Sequence, residues 1–402
     1  MYDEENILKA FDLDGIVNSL QQNCDEKNFE KLAKNFILEN NKQAVIHLLP
    51  TTEKENKEKD LISYKSKLSE KEVEEILEET KKLQEWQAST DKKEDLEKIK
   101  SVDAREVELK NPFNKTNFET INNIKYSHFN TITNGISYSK LLFDITDFSV
   151  KQLQYASLLT YLLFNFNTKE KTEAEVVKEI SANLGGLSSH IDVFRKYKSD
   201  KCEVKFIVGA KNLVEKAEKL VTIMEETTLN ADFDNKEALY SVLLEIKLML
   251  DNKFKNSGHA FVARRISSYN SIHGKLTSYH SEYDFYLFIE GLLDNFEQNI
   301  TNIQDNLYKV VKLIFNRSRL LVNFVGDNEE YINYKKIILS YINKLPNDIN
   351  KQDGFNWANK FDNFIKENII NKNIEAIVNF NNSIFDYRHS VPTPEHFYPL
   401  LI

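Results

Sequence analysis

The segment Lys201-Cys202-Glu203-Val204-Lys205-Phe206-Ile207-Val208-Gly209 runs almost directly into Lys211-Asn212-Leu213-Val214-Glu215-Lys216-Ala217-Glu218-Lys219-Leu220-Val221-Thr222-Ile223-Met224. In the first part Val204, Phe206 and Val208 alternate with neighbours facing the other way. That is the period of a strand with one buried face. In the second, Leu213, Val214, Ala217, Leu220, Val221 and Met224 recur at helical spacing and predict a helix over 211–227. A one-faced strand feeding an amphipathic helix predicts an α+β fold, with helices on one face of an antiparallel sheet.

The same alternation of elements extends in both directions. Upstream, strands are expected at 124–132 and 136–146, joined through Asn134-Gly135, a hairpin turn signal. A helix is expected over 150–165, and Thr172-Glu173-Ala174-Glu175 has the form that caps another. Gly185-Gly186 ends that helix and opens a strand pair at 187–194 and 201–209. The two glycines suit a backbone turn rather than phosphate binding, since no Gly-x-Gly-x-x-Gly accompanies them. Downstream, helices are expected over 234–256, 283–298 and 300–315, then a strand over 320–325 and a helix over 328–345.

Before this domain, residues 5–40 read as helices and Ala44-Val45-Ile46-His47-Leu48-Leu49 as a short buried strand stopped by Pro50. Ser69-Glu70-Lys71-Glu72 has capping-box form. It opens a helical stretch over 69–99 with Val73, Ile76, Leu77 and Leu83 on one stripe and Glu/Lys opposite. A charged helical hairpin joining two domains is expected there, with Trp86 and Gln87 packed inside it. Glu74-Glu75 and Glu78-Glu79 read as solvated faces, not metal sites. Near 350, Pro346-Asn347-Asp348 and Gln352-Asp353-Gly354 read as a linker, followed by a short helical segment over 355–370.

Composition narrows the function. At 402 residues the chain is long enough for two or three domains. Only 10 Gly and 6 Pro occur, which favours long helices over a turn-rich all-β fold. The net charge of −9 and the lack of a basic stripe beyond Arg264-Arg265 argue against nucleic acid as a partner. No apolar run reaches membrane-spanning length, so no membrane role is expected. The acidic start Met1-Tyr2-Asp3-Glu4-Glu5 is unlike a signal or transit peptide, and Cys24 and Cys202 suit a reducing compartment. A soluble cytoplasmic protein is the expectation.

Catalytic candidates are sparse. The eight histidines are His47, His128, His190, His259, His273, His280, His389 and His396, and none falls in His-x-x-Glu-His in either direction. His273 and His280 are seven residues apart and could share a helix face near Glu282. A metal site there competes with surface or capping roles, which the sequence favours. Tyr279, Tyr283, Phe285, Tyr286 and Phe288 form an aromatic cluster. Core packing is its default role, and lining a substrate chamber the alternative.

The passage Leu83-Gln84-Glu85-Trp86-Gln87, then Thr90-Asp91, then Glu94-Asp95-Leu96-Glu97-Lys98-Ile99 resembles the inter-domain hairpin of presequence proteases. These are a branch of the pitrilysin/insulinase zinc metallopeptidases. Phe129-Asn130-Thr131-Ile132-Thr133-Asn134-Gly135-Ile136 is similar to the strand pair that opens that family's third domain. Glu175 to Ile180 with Gly185-Gly186, then Gly258-His259-Ala260, then Tyr283-Asp284-Phe285-Tyr286-Leu287-Phe288 continue the likeness. Two departures are Lys100, where the family has Pro, and Tyr279-His280-Ser281-Glu282-Tyr283 in place of a Gly-Leu/Ile-Ser run.

The resemblance implies that 1–60 is the C-terminal part of a second peptidase domain, 61–102 the hairpin linker, and 103–348 the third, non-zinc-binding domain. It implies degradation of unstructured oligopeptides in a chamber closed by two halves. In that family two histidines of His-x-x-Glu-His hold zinc and the glutamate activates water. This chain lacks the motif, so no catalytic residue carries over, no cofactor is expected in the chain itself, and zinc is expected only in the complete enzyme. The implied role is chamber wall and hinge, inactive alone. The alternative is a non-catalytic partner that completes its chamber with a separate zinc-bearing peptidase half.

The tail differs. Phe355-Asn356-Trp357-Ala358, Phe361-Asp362 and Val391-Pro392-Thr393-Pro394-Glu395-His396-Phe397-Tyr398-Pro399-Leu400-Leu401 resemble the end of extradiol DOPA dioxygenases. A fragment of that type over 355–402 implies a catalytic role in proton transfer for His396, on that likeness alone. The family's metal-ligand histidines have no matching context here. An aromatic-ring dioxygenase fragment is therefore a further alternative.

Overall fold

The computed structural model describes residues 12–44, 46–47, 49, 57–99, 105, 116–196, 199, 201–347, 374–380 and 383–389. The chain divides into two compact units, Met1–Glu108 and Leu109–Ile402.

The described part of the first unit is helical. Helix α1 (Leu13–Asp25) is capped by Asp12, whose carboxylate accepts the Gly15 N–H at 2.9 Å. Helix α2 (Asn28–Ala33) widens into a π turn over Lys34–Leu38. Helices α3 (Lys57–Lys65), α4 (Glu70–Ala88) and α5 (Lys93–Leu96) follow. The expected capping box opens α4: the Ser69 hydroxyl accepts the Glu72 N–H, and the Glu72 carboxylate accepts the Ser69 N–H at 2.8 Å. Hydrogen bonds from Ser69 hold the Glu72 carboxyl below its usual range. Lys71–Glu75 and Lys82–Glu78, at 3.7 and 2.7 Å, support the helix surface, where such pairs contribute ~0.3–0.5 kcal/mol each.

Two expectations fail in this unit. Trp86 does not pack; it is 72% exposed. Of the strand expected over 44–49, the described residues Ala44, Ile46, His47 and Leu49 are in no strand, and Ile46 and Leu49 are exposed. Among the described residues of this unit no second strand offers a ladder, and a lone strand would leave its amides and carbonyls to water.

The second unit carries the sheet. Its strands are β1 (Thr116–Ile121), β2 (Ile124–Asn130), β3 (Ile136–Asp144), β4 (Gly186–Arg195), β5 (Cys202–Leu213) and β6 (Leu320–Gly326). Its helices are α6 (Val150–Leu162), α7 (Glu173–Asn183), α8 (Ala217–Leu229), α9 (Lys236–Asn256), α10 (Gly258–Asn270), α11 (Ile272–Ser281), α12 (Tyr283–Asp294), α13 (Phe296–Ile314) and α14 (Asn328–Lys344). A separate antiparallel pair, β7 (Ile374–Phe380) and β8 (Ser383–His389), lies in the tail, where the sequence announces no strand. The helix expected over 355–370 and the residue His396 fall outside the described residues.

The six strands are ordered β1-β2-β6-β3-β5-β4. The sheet is mixed rather than antiparallel, because β6 runs parallel to β2. The expected β2–β3 hairpin also fails. Its turn forms as the sequence asks: Asn134 and Gly135 both have positive φ, at 52° and 79°, and the Ile136 N–H donates to the Thr133 carbonyl at 3.2 Å. Yet β6 lies between the flanking strands, with Val322 opposite Tyr126 on one side and Leu141 on the other. A turn signal fixes the local backbone, not the strand's partner. The tight hairpin is instead β1–β2, through Asn122-Asn123 at φ 51° and 65°. Asparagine tolerates the left-handed region that such a turn requires.

Alternation then decides the layers. Along β5 Val204, Phe206, Val208 and Ala210 are buried, and across the ladder they meet Phe143 and Leu141 on the same face. That face packs against Leu153 and Leu159 of α6, Leu220 and Met224 of α8, Leu307 of α13 and Ile338 of α14 in one continuous core. Fully burying each such side chain contributes ~1.5–3 kcal/mol. The helix expected over 211–227 begins later: β5 extends to Leu213, a 3-10 turn covers Val214–Lys216, and α8 starts at Ala217. The stretch 283–298 likewise breaks at Asn295 into α12 and α13. Helices α10 and α11, which no periodicity announces, cross so closely that a Cβ at Gly274 would collide with the Ser267 carbonyl.

Candidate functional site

The strand positions opposite the core form the other face of the sheet. On β3 these are Tyr138, Lys140, Leu142 and Asp144, and on the adjacent edge Phe194. Tyr138 is 40% exposed and Phe194 46%. The rest is a mosaic of polar contacts. Asn323 Nδ2 donates to Ser127 Oγ at 2.9 Å. Lys205 Nζ lies 3.0 Å from Asp144 and 2.9 Å from Glu203. Burial works against the Asp144 charge, but the Thr146 hydroxyl and N–H, together with Lys205, outweigh it and hold the carboxyl below its usual range. His190 lies 3.6 Å from Asp192 near the β4 edge. Aromatic, aliphatic and paired polar groups on an open pleated surface can hold an extended chain, but present no nucleophile with its base.

Charged groups also gather where α9 to α12 meet. Asp284, in the first turn of α12, takes Arg265 of α10 at 3.1 Å and Lys275 of α11 at 2.8 Å. Burial would raise its carboxyl, yet Lys275, Ser278 and Arg265 hold it low. Glu282 takes Lys253 of α9 at 2.9 Å and Arg264 at 3.4 Å. Arg265 also lies 4.8 Å from the Tyr283 ring. Each carboxylate is neutralised by two cations from other helices, so the cluster ties four helices together. The second Glu282 oxygen is buried without a hydrogen-bond partner among the described residues. Such an unsatisfied atom costs about 1–3 kcal/mol.

The expected histidine pair does share α11, but Glu282 turns to Lys253 and Arg264. Among the described residues no three His, Cys, Asp or Glu side chains converge on a common metal position. Burial pushes His280 down to about 4, with Asp192 opposing and His273 and Lys253 adding to the shift. Its unfolded value is about 6.5, so the unfolded chain binds the extra proton between about pH 6.5 and 4. This contribution to stability is full above about pH 6.5 and should fall by on the order of 3 kcal/mol as pH drops toward 4. Urea melts of His280→Gln across that window should show a flatter dependence; an unchanged slope would assign it to other groups.

The aromatic cluster is core. Phe285 is 0% exposed, Phe288 meets Tyr155 edge-on at 5.1 Å, and Tyr286 meets Phe254 at 5.5 Å. Gly185-Gly186 makes no left-handed turn: Gly185 N–H donates to the Lys211 carbonyl at 2.8 Å and Gly186 begins β4. His128 carries no motif that singles it out in the sequence. It is 2% exposed on the core face of β2, with Nε2 2.9 Å from the Gly326 carbonyl and its ring stacked on Tyr331 at 4.1 Å. Tyr331 in turn donates to Glu119, which also takes Lys335 at 2.8 Å. Its place two positions after Tyr126 is the available signal, since alternation puts both on the buried face.

A family model described as "Peptidase M-16C associated" matches residues 48–292. Protein HypA of Clostridium perfringens is 27% identical over 335 residues, covering 82% of this chain and 34% of that protein. Presequence protease 1, chloroplastic/mitochondrial, of Arabidopsis thaliana is 22% identical over 324 residues, covering 79% of this chain and 30% of that one. The mitochondrial presequence protease of Yarrowia lipolytica is 23% identical over 276 residues, covering 66% and 27% respectively. The chain spans about a third of the length of these curated relatives.

Proposed function

Because the chain belongs to the Peptidase M-16C associated family, of presequence-protease type, we propose that it serves oligopeptide hydrolysis as a wall and hinge rather than as the bond-breaking centre. The observation that carries this reading is the one-sided sheet, with its helical core behind it and Tyr138 and Phe194 presented in front. Such a surface takes up an extended, unfolded peptide through apolar and polar contacts. In this reading the charged helices over 61–102 form the hairpin that lets two halves approach. The protein works in the cytoplasm.

Zinc is the metal that the family implies, and the described residues do not fit it. No His-x-x-Glu-His occurs in the sequence, and no three ligands converge among the described residues. No step is assigned to zinc in this chain; a zinc-bearing peptidase half is the partner that would supply it.

Fluorescence anisotropy with a labelled, unstructured peptide of about 25 residues tests the reading. The chain should bind it, and Tyr138→Asp should weaken binding at least fivefold. Incubated alone with the same peptide, the chain should yield no chelator-sensitive cleavage. Stoichiometric zinc together with turnover would overturn the proposal.

A further inference from the structure

At one end of the sheet two hollows adjoin. The larger, about 530 Å³, is lined by Asn134, Gly135, Leu213, Glu215, Glu218 and Ile337 among others. The smaller, about 250 Å³, is lined by Ile136, Leu184, Gly185, Lys211, Asn212 and Lys216 among others. Leu213 lines both and is 47% exposed.

Three features give the pair a chemical direction. The larger hollow carries two carboxylates, Glu215 and Glu218, and the smaller two ammonium groups, Lys211 and Lys216. Ile136, Leu184 and Leu213 add apolar wall to the smaller one. Finally, Asn212 lines the smaller hollow and is 1% exposed, and its Oδ1 finds no donor among the described residues. Its Nδ2 is already used on the Leu213 carbonyl at 2.7 Å. A buried acceptor of this kind calls for an N–H.

We infer that the two hollows form a site for a short free peptide. Its amino terminus lies against Glu215 and Glu218, its carboxylate against Lys211 and Lys216, an apolar side chain covers Leu213, and a backbone N–H reaches Asn212 Oδ1. Strand and 3-10 rises place Lys211 and Glu215 on the order of 10 Å apart along the backbone, the extended length of ~three residues. Peptide as the ligand class rests on the proposed function; the site adds a preference for free ends. Products of peptide hydrolysis carry both ends free, so the site selects short products over the interior of a long chain.

Isothermal titration of the intact chain with the free tetrapeptide Ala-Leu-Leu-Ala tests this. One site per chain is expected. N-acetylation should weaken binding at least fivefold in the wild type and leave it unchanged in the double variant Glu215→Gln/Glu218→Gln. C-terminal amidation should weaken the wild type by a similar factor and Lys216→Met by less. Glu215 and Glu218 are exposed, so the double variant should fold, and its circular dichroism melt checks this. No tetrapeptide binding, or equal affinity for blocked and free forms, overturns the site. If the 25-residue peptide still binds in a Tyr138-dependent way, the wall reading stands while this site falls; if neither peptide binds, both fall.

Discussion

An Arg319→Met variant should lose about 3–5 kcal/mol of stability, because it strands a carboxylate inside the protein. Arg319 is buried at the entry to β6, with its guanidinium forked onto Asp147 at 2.5 and 2.8 Å. Nη1 also donates to the Asp144 carbonyl at 2.6 Å, and the group lies 5.3 Å from the Phe148 ring. Its side chain is 4% exposed and that of Asp147 15%. One residue thus fastens the last strand of the sheet to the β3–α6 connection, 172 positions earlier in sequence. Removing the cation leaves Asp147 without its partner, and methionine keeps most of the packing volume. Urea denaturation should show the midpoint falling with little change in slope. A double variant, Arg319→Met/Asp147→Asn, should recover part of the loss, since a buried pair replaced on both sides is far less costly than one broken on one side. A loss under ~1 kcal/mol in the single variant would mean that water reaches the pair and screens it.

Phe315→Ala should cost a comparable amount, about 3–5 kcal/mol, through the cavity it opens. Phe315 follows α13 directly, is 1% exposed, and meets two strand residues edge-on, Phe143 at 5.1 Å and Phe206 at 5.9 Å. Those two are paired partners on β3 and β5. The ring therefore plugs the junction between the helical layer and the sheet centre. Edge-to-face pairs add ~0.5–1.5 kcal/mol beyond burial. Phe315→Leu, which keeps much of the volume, should cost less than half as much. Thermal melts of both variants decide it; equal losses would point to the aromatic geometry rather than to volume.

What the sequence makes legible follows the range of each signal. Capping boxes at Ser69, Thr172 and Asp327 depend on three or four neighbouring residues, and the first two are readable from those residues alone. The alternation of Val204, Phe206 and Val208 likewise identifies the core face of β5. Pairing is not legible. Asn134-Gly135 specifies two positive φ angles, and it has them, but the strand inserted beside it comes from residues 320–326. Leu213 and Val214 fit the helical spacing of α8 and yet belong to a strand end and a 3-10 turn; spacing alone does not tell a helix's first turn from the strand before it. Helices α10 and α11 contain Gly258, Gly274 and several serines, weak helix formers held by tertiary contacts such as Asp284 with Arg265 and Lys275. The site is less visible still. Lys211, Asn212, Glu215 and Glu218 read as a polar face until the strand end and the Asn134-Gly135 turn enclose them. The unpartnered oxygen of Asn212 exists only in three dimensions.

The late arrival of β6 also sets a timetable for biosynthesis. A ribosome that has just finished Asp144 must add everything through Gly326 before β2 and β3 can acquire the strand that bridges them. At usual elongation speeds that interval lasts roughly 10–40 s. Throughout it, two strands carrying Tyr126, Leu141 and Phe143 have unpaired backbone along their facing edges. The nascent chain is thus an open template for any other extended segment until Leu320–Gly326 has emerged, and a holdase that masks those edges is the factor on which its yield in a cell should depend.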